Sequence, residues 1–221
     1  MSDFVVACDI DEVLFPYLPG WVQFYNRTHN SDISVSDFHS YNFAHVLQEH
    51  DEEYITTVVY DFHDAPEFLD VQPITGSVEA IKQLQELGDV HFVTSRQNAI
   101  AKITYDWIYC HFGIEQDKIH IGNHWCKESD AVTVKKTKSE MCRLINARVL
   151  IDDSVSYAQE CAAAGIHALL FDLNGTYGWN KVQSDNSDEK LTLHANVTRV
   201  TSWQDTIEVV RHIQQQQQES K

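Results

Sequence analysis

Positive charge is scarce in this chain. Its 221 residues hold 16 Lys and Arg against 33 Asp and Glu, for a formal charge of −17. Such a field repels polyphosphate backbones, which argues against nucleic-acid polymers and anionic membranes as partners. A small phosphorylated metabolite would need a local cation to enter, whether a lysine, an arginine or Mg²⁺. Long apolar runs are missing too, since no stretch approaches the ~18 residues of a transmembrane helix. The opening MSDFVVACD meets a charged residue too soon for a signal peptide. Cysteine is present but unpatterned. Cys8, Cys110, Cys126, Cys142 and Cys161 are odd in number and include no CxxC, as expected of reduced thiols in a soluble cytoplasmic protein. The oligomeric state is left open.

Hydrophobic residues make up 43% of the chain, enough for one large domain or a domain with a small insert. Five short apolar runs recur at Phe4–Cys8, Val90–Thr94, Lys118–Ile121, Arg148–Ile151 and His167–Phe171. Each is continuous rather than alternating, as in strands buried on both faces. Helical stripes lie between them: Val78, Ile81, Leu84 and Leu87; Ile100, Ile103, Trp107 and Ile108; Met141, Leu144 and Ile145; and Val155, Ala158 and Ala162. A last helix is expected from Ser202, with Asp205 at capping-box spacing. Alternation of strand and helix predicts an α/β fold of Rossmann-like, doubly wound type with a mainly parallel sheet.

One connection is too long. About 60 residues separate the first strand from the helix near Ser77, where a plain crossover needs roughly a dozen. This aromatic-rich stretch predicts a small helical cap inserted after the first strand. The expected domains are a core of residues 1–15 and 75–213, a cap of 16–74, and a frayed Gln-rich tail of 214–221. Segment 174–189 is polar and expected to be loop.

Ligands of open α/β sheets sit outside the carboxyl ends of the strands. Those ends carry Asp9 and Asp11, then Thr94, Ser95 and Arg96, then Asp152, Asp153 and Ser154. Lys135, Lys136 and Lys138 precede the helix that leads into the fourth strand. Carboxylates at two strand ends offer hard oxygens to Mg²⁺, and the hydroxyl and lysine offer donors to phosphate oxygens. A carboxylate there can attack phosphorus and form an aspartyl-phosphate.

DIDEV, VTSR, Lys138 and IDDS, in that order on alternating strands, resemble the four motifs of the haloacid dehalogenase superfamily of phosphohydrolases. FLDVQPITGSVEAI, DWIYCHFG and TSWQDTIEVV are more narrowly similar to its 5′(3′)-deoxyribonucleotidase branch. The resemblance implies Asp9 as nucleophile and Mg²⁺ ligand. It implies Asp11 as general acid then base, with its backbone carbonyl on the metal. Thr94 and the Ser95 amide would hold the phosphoryl group, Lys138 would neutralise it, and Asp152 with its neighbour Asp153 would complete the metal site. Two positions depart from the pattern. Glu12 stands where glycine is common, so the turn there lacks glycine's freedom; it is expected either to point to solvent or to gate the substrate. Arg96 stands where the nucleotidases carry proline, and either pairs with a surface carboxylate or grips the substrate phosphate.

Plainer alternatives stand beside these roles. Lys138 is preferred over Lys135 and Lys136 because it opens its helix, with Lys136 as a second possible phosphate contact. The cap aromatics are expected to be core, with Phe15, Tyr17 and Tyr41 the candidates to line a substrate pocket. His120, His124 and Cys126 approach zinc-ligand spacing but lack a fourth partner, and His63–Asp64 is expected to be loop. Competing functions on the same fold are phosphotransfer, dehalogenation and a catalytically inactive binding or regulatory module.

Overall fold

The computed structural model describes residues 3–40, 42–47, 52–124, 134–181 and 191–219. Among the described residues six strands form one sheet: β1 (Val5–Cys8), β2 (Asp89–Thr94), β3 (Ile119–Ile121), β4 (Ala147–Asp152), β5 (His167–Phe171) and β6 (Val197–Val200). Their order is β3-β2-β1-β4-β5-β6, and every pairing is parallel. The chain starts in the middle of the sheet and winds outward twice, so the switch of direction lies between β1 and β4. All strands end on the same edge, which gathers Asp9, Thr94 and Asp152.

Among the described residues, the insert that follows β1 holds four α-helices: α1 (Tyr17–His29), α2 (Phe43–Leu47), α3 (Glu52–His63) and α4 (Pro66–Leu69). The remaining helices are α5 (Ser77–Leu87), α6 (Ala101–Phe112), α7 (Lys138–Leu144), α8 (Val155–Ala163) and α9 (Trp203–Glu219). Successive strand residues point to opposite faces. Val6, Cys8, Phe92 and Ile151 therefore pack with α5, α6 and α9, through residues such as Ile81, Leu84, Trp107, Ile108 and Ile207. Ala7, Val93 and Leu150 face Met141 and Cys142 of α7 and Cys161 of α8. Each buried Val, Leu, Ile, Phe or Met among them contributes about 1.5–3 kcal/mol by leaving water.

The inserted helices share the first of these cores. Trp21 stacks on Tyr25, with ring centroids 4.9 Å apart, and Phe62 and Phe68 close the space between α1, α3 and α4. The cap aromatics are thus mostly core. Phe15 is the joint between insert and sheet domain, since its ring lies 5.0 Å from Phe68 and 4.9 Å from Trp107.

Two elements differ from expectation. β6 was not legible, because its four residues VTRV include Thr198 and Arg199 and follow a polar stretch. Its register is supplied by Leu169 and its neighbours on β5. The last helix does not stop at residue 213; α9 continues through the glutamines to Glu219, where Gln214 donates to the Leu87 carbonyl at the end of α5.

Candidate active site

Lys138 is the first residue of α7. Thr137 caps that helix, with its hydroxyl accepting from the Glu140 N–H and the Glu140 carboxylate accepting from the Thr137 N–H. The cap fixes where the lysine enters the helix, and the side chain runs inward to 0% exposure. Its ammonium lies 2.6 Å from Asp9 Oδ1 and 2.9 Å from Asp152 Oδ2, and donates to the Val93 carbonyl at 3.1 Å. All three ammonium hydrogens are therefore placed. Burial works against this charge, but Asp152 and Asp9 together hold its pKa above the ordinary lysine value. Lys135 and Lys136 are exposed. The Lys136 N–H bonds the Gly122 carbonyl, and any Cβ at Gly122 would sit 2.7 Å from the Lys136 oxygen. Glycine is required there so that the segment leading to Lys138 can pass close to the end of β3.

Asp9 is oriented by two donors on one oxygen, the Ile10 N–H at 2.7 Å and Lys138. Asp152 accepts the Ser154 N–H through Oδ1, and Asp153 accepts the Trp179 indole N–H at 2.6 Å. Oxygens of Asp9, Asp152 and Asp153 lie within 4.8 Å of one another, and all three residues are buried. Asp153, expected only as a neighbour, belongs to this group.

Asp11 faces the other way. Its carboxylate, 25% exposed, takes the fork of Arg96, with Nη2 2.7 Å from Oδ1 and Nε 3.0 Å from Oδ2. Of the alternatives expected for Arg96, the carboxylate pairing is the one seen, with a partly buried site carboxylate in place of a surface one. The arginine is 4% exposed, and a third donor, Nη1, goes to Thr104 Oγ1 at 3.0 Å. Thr94 is buried with its hydroxyl accepting the Arg96 N–H, and Ser95 donates its hydroxyl proton to Tyr157 at 3.0 Å.

Glu12 is neither solvent-directed nor exposed. At 2% exposure it holds φ +58°, the left-handed region that favours glycine. Its carboxyl accepts the Leu18 N–H at the start of α1, doing for this helix what an N-cap side chain does. Burial, with Asp11 and Asp9 nearby and the Leu18 N–H opposing, pushes its pKa up to about 8. A neutral carboxyl still accepts that N–H, and it spares the site a further negative charge.

A search of curated proteins finds no match to the sequence. A family profile does match, over residues 3–218: 5′ nucleotidase, deoxy (pyrimidine), cytosolic type C protein. The chain belongs to that family. It is a phosphatase of the haloacid dehalogenase type, and solved structures share its fold. A hydrolase of that superfamily from Deinococcus radiodurans R1, crystallised with phosphate and sodium, is 14% identical at TM-score 0.61, with 96% of this chain and 97% of that one covered. A protein from Clostridium acetobutylicum described as a predicted phosphatase is 16% identical at TM-score 0.63, covering 95% and 98%.

In this phosphatase the Asp9, Asp152 and Asp153 oxygens fit a small hard cation. Mg²⁺ takes few protein carboxylates and keeps waters and substrate oxygens, and three buried carboxylates beside a single ammonium leave negative charge to be met. Among the other candidates, Phe15 is packed in the core, whereas Tyr17 donates to or accepts from His63 Nε2 at 3.2 Å. His63 is not in a loop: it ends α3, is buried, and has its pKa lowered to about 4 by burial and by Arg96. His120 pairs with His91 at 3.0 Å, while Cys126 and Tyr41 lie outside the described residues. No described helix is long and apolar enough to cross a membrane.

Proposed function

We propose that this phosphatase hydrolyses small phosphomonoesters, deoxynucleoside monophosphates first among them, through an aspartyl-phosphate on Asp9. One observation carries the reading: the buried ammonium of Lys138 is shared by Asp9 and Asp152, whose oxygens lie with those of Asp153 within 4.8 Å of one another at the strand ends. The nucleotide preference rests on the family match.

Asp9 Oδ1 is held by Ile10 N–H and Lys138, which orients Oδ2 as the attacking atom. As Oδ2 bonds phosphorus, the bond from phosphorus to the leaving oxygen breaks, and Asp11 gives that oxygen a proton. Water then loses a proton to Asp11 and attacks phosphorus, which breaks the acyl-phosphate bond and frees Asp9. Thr94 and the Ser95 amide hold the phosphoryl oxygens, and Lys138 offsets the charge that gathers on them. Mg²⁺, held by Asp9, Asp152 and Asp153 with the Asp11 carbonyl as a further oxygen, would supply charge neutralisation at the phosphate. The enclosing helices of the insert exclude water from the leaving-group side.

A screen of nucleoside, deoxynucleoside and sugar monophosphates with Mg²⁺ and with EDTA tests this reading. The expected result is Mg²⁺-dependent phosphate release, highest kcat/KM on deoxynucleotides, and loss in Asp9→Asn. Hydroxylamine-sensitive label from ³²P-substrate should appear on the wild type alone. Full activity of Asp9→Asn would overturn the nucleophile, and metal-independent turnover would overturn the role of the carboxylates.

A further inference from the structure

We infer that Arg96 is a positioning residue for Asp11, holding its carboxylate in the one orientation that meets the leaving-group oxygen. The inference rests on the phosphomonoesterase reading, in which Asp11 carries the proton.

Asp11 sits at the rim of the site, a quarter exposed, beyond the end of β1. A carboxylate there would ordinarily turn among its rotamers and meet the leaving oxygen only part of the time. Arg96 removes that freedom. Its Nε and Nη2 grip both carboxylate oxygens, at 3.0 and 2.7 Å, the planar two-point contact that lysine cannot reproduce. The guanidinium is fixed in turn on its remaining sides. Nη1 donates to Thr104 Oγ1, and Thr104 donates to the Ile100 carbonyl at 2.9 Å. Its central carbon lies 4.3 Å from the centre of the Phe15 ring and 5.3 Å from that of Phe68. Phe68 belongs to α4 of the insert, so one side chain links the seating of the cap to the aim of Asp11.

The same contacts argue against a direct role. Guanidinium neither gives nor takes a proton at working pH, so any effect on proton transfer passes through Asp11. Oδ2 accepts the Nε hydrogen and keeps a second lone pair, which carries the proton to the leaving oxygen and later receives one from water.

A leaving group that needs a proton exposes the role. Alkyl esters, such as deoxynucleoside 5′-monophosphates, leave as poor alkoxides unless protonated, whereas p-nitrophenolate leaves without help. Kinetics with Mg²⁺ on one ester of each kind, for the wild type, Arg96→Ala, Arg96→Lys and Thr104→Val, provide the test. Expected for Arg96→Ala is a fall in kcat on the alkyl ester of roughly 10²-fold, the scale of lost acid catalysis. That fall should exceed the fall on p-nitrophenyl phosphate by about tenfold or more, with KM little changed. Arg96→Lys should remain impaired, and added guanidinium should restore part of the alkyl-ester rate to Arg96→Ala. Thr104→Val should reproduce the pattern on a smaller scale, and it decides alone if Arg96→Ala does not fold. Equal losses on both esters, or a raised KM with kcat intact, would overturn the positioning role. A wild type inactive on both esters would instead overturn the phosphomonoesterase reading itself.

Discussion

The Tyr177 hydroxyl donates to the backbone carbonyl of Glu12 at 2.7 Å, across 165 residues of sequence. This bond clamps a backbone already in a left-handed turn, while the Glu12 side chain reaches forward to the Leu18 N–H. Glu12 thus ties the segment that carries Asp9 and Asp11 to the first helix of the insert.

Glu12→Ala should cost about 1–2 kcal/mol, because the α1 N-terminus loses its acceptor and the left-handed strain remains. Glu12→Gly loses the acceptor too but relieves about 1–2 kcal/mol of left-handed strain, against about 0.4–1 kcal/mol of added unfolded-chain entropy. Urea unfolding should therefore rank wild type above Gly above Ala. Ala matching or exceeding Gly would refute the strained turn.

Lys138→Met keeps the side-chain length and removes the charge between Asp9 and Asp152. kcat/KM should fall by roughly 10²–10³-fold, as when a transition-state donor is deleted, whereas Lys135→Ala and Lys136→Ala should stay near wild type. A larger effect at either exposed lysine would move the phosphate-neutralising role there.

Trp179 holds Asp153 through a 2.6 Å bond from its indole N–H. Trp179→Phe retains the ring and removes that donor, so one of the contacts that orient Asp153 is lost. The Mg²⁺ concentration for half-maximal activity should rise about tenfold, the lower end for lost support of a metal ligand. An unchanged Mg²⁺ titration would remove Asp153 from the metal site.

His63 gives the fold an acid limit. It is buried beside Tyr17, with Arg96 and Asp11 the charges that act on it, and its pKa falls from 6.5 to about 4. Between those values the unfolded chain binds a proton that the folded chain refuses, so unfolding free energy rises with pH. Stability should therefore be lost as pH drops from about 6.5 toward 4, by up to about 3 kcal/mol. His63→Gln should flatten that part of the curve in urea titrations at successive pH values; an unaltered slope would assign it to other groups.

The strand ends were legible because each motif follows a continuous apolar run, and a parallel sheet brings such ends to one edge. Lys138 could be preferred from its helix-opening position, although its burial between two carboxylates depends on how α7 enters the fold. Arg96 and Asp11 were both singled out, but 85 residues separate them, and no local pattern pairs them. Glu12 was marked as an oddity whose partners, Leu18 and Tyr177, emerge only once the insert and the segment after β5 are in place. Trp179 was missed altogether, since an aromatic in a polar stretch carries no signal of the carboxylate it will meet.

Complete enclosure of Lys138 has a consequence for chemical labelling. Acylating reagents reach amines by diffusion through water, and this one has none around it, whereas Lys135 and Lys136 stand in solvent. Exhaustive surface acetylation would make an already acidic protein more acidic still and leave Lys138 untouched between Asp9 and Asp152, so the folded enzyme should withstand a treatment that its unfolded chain would not.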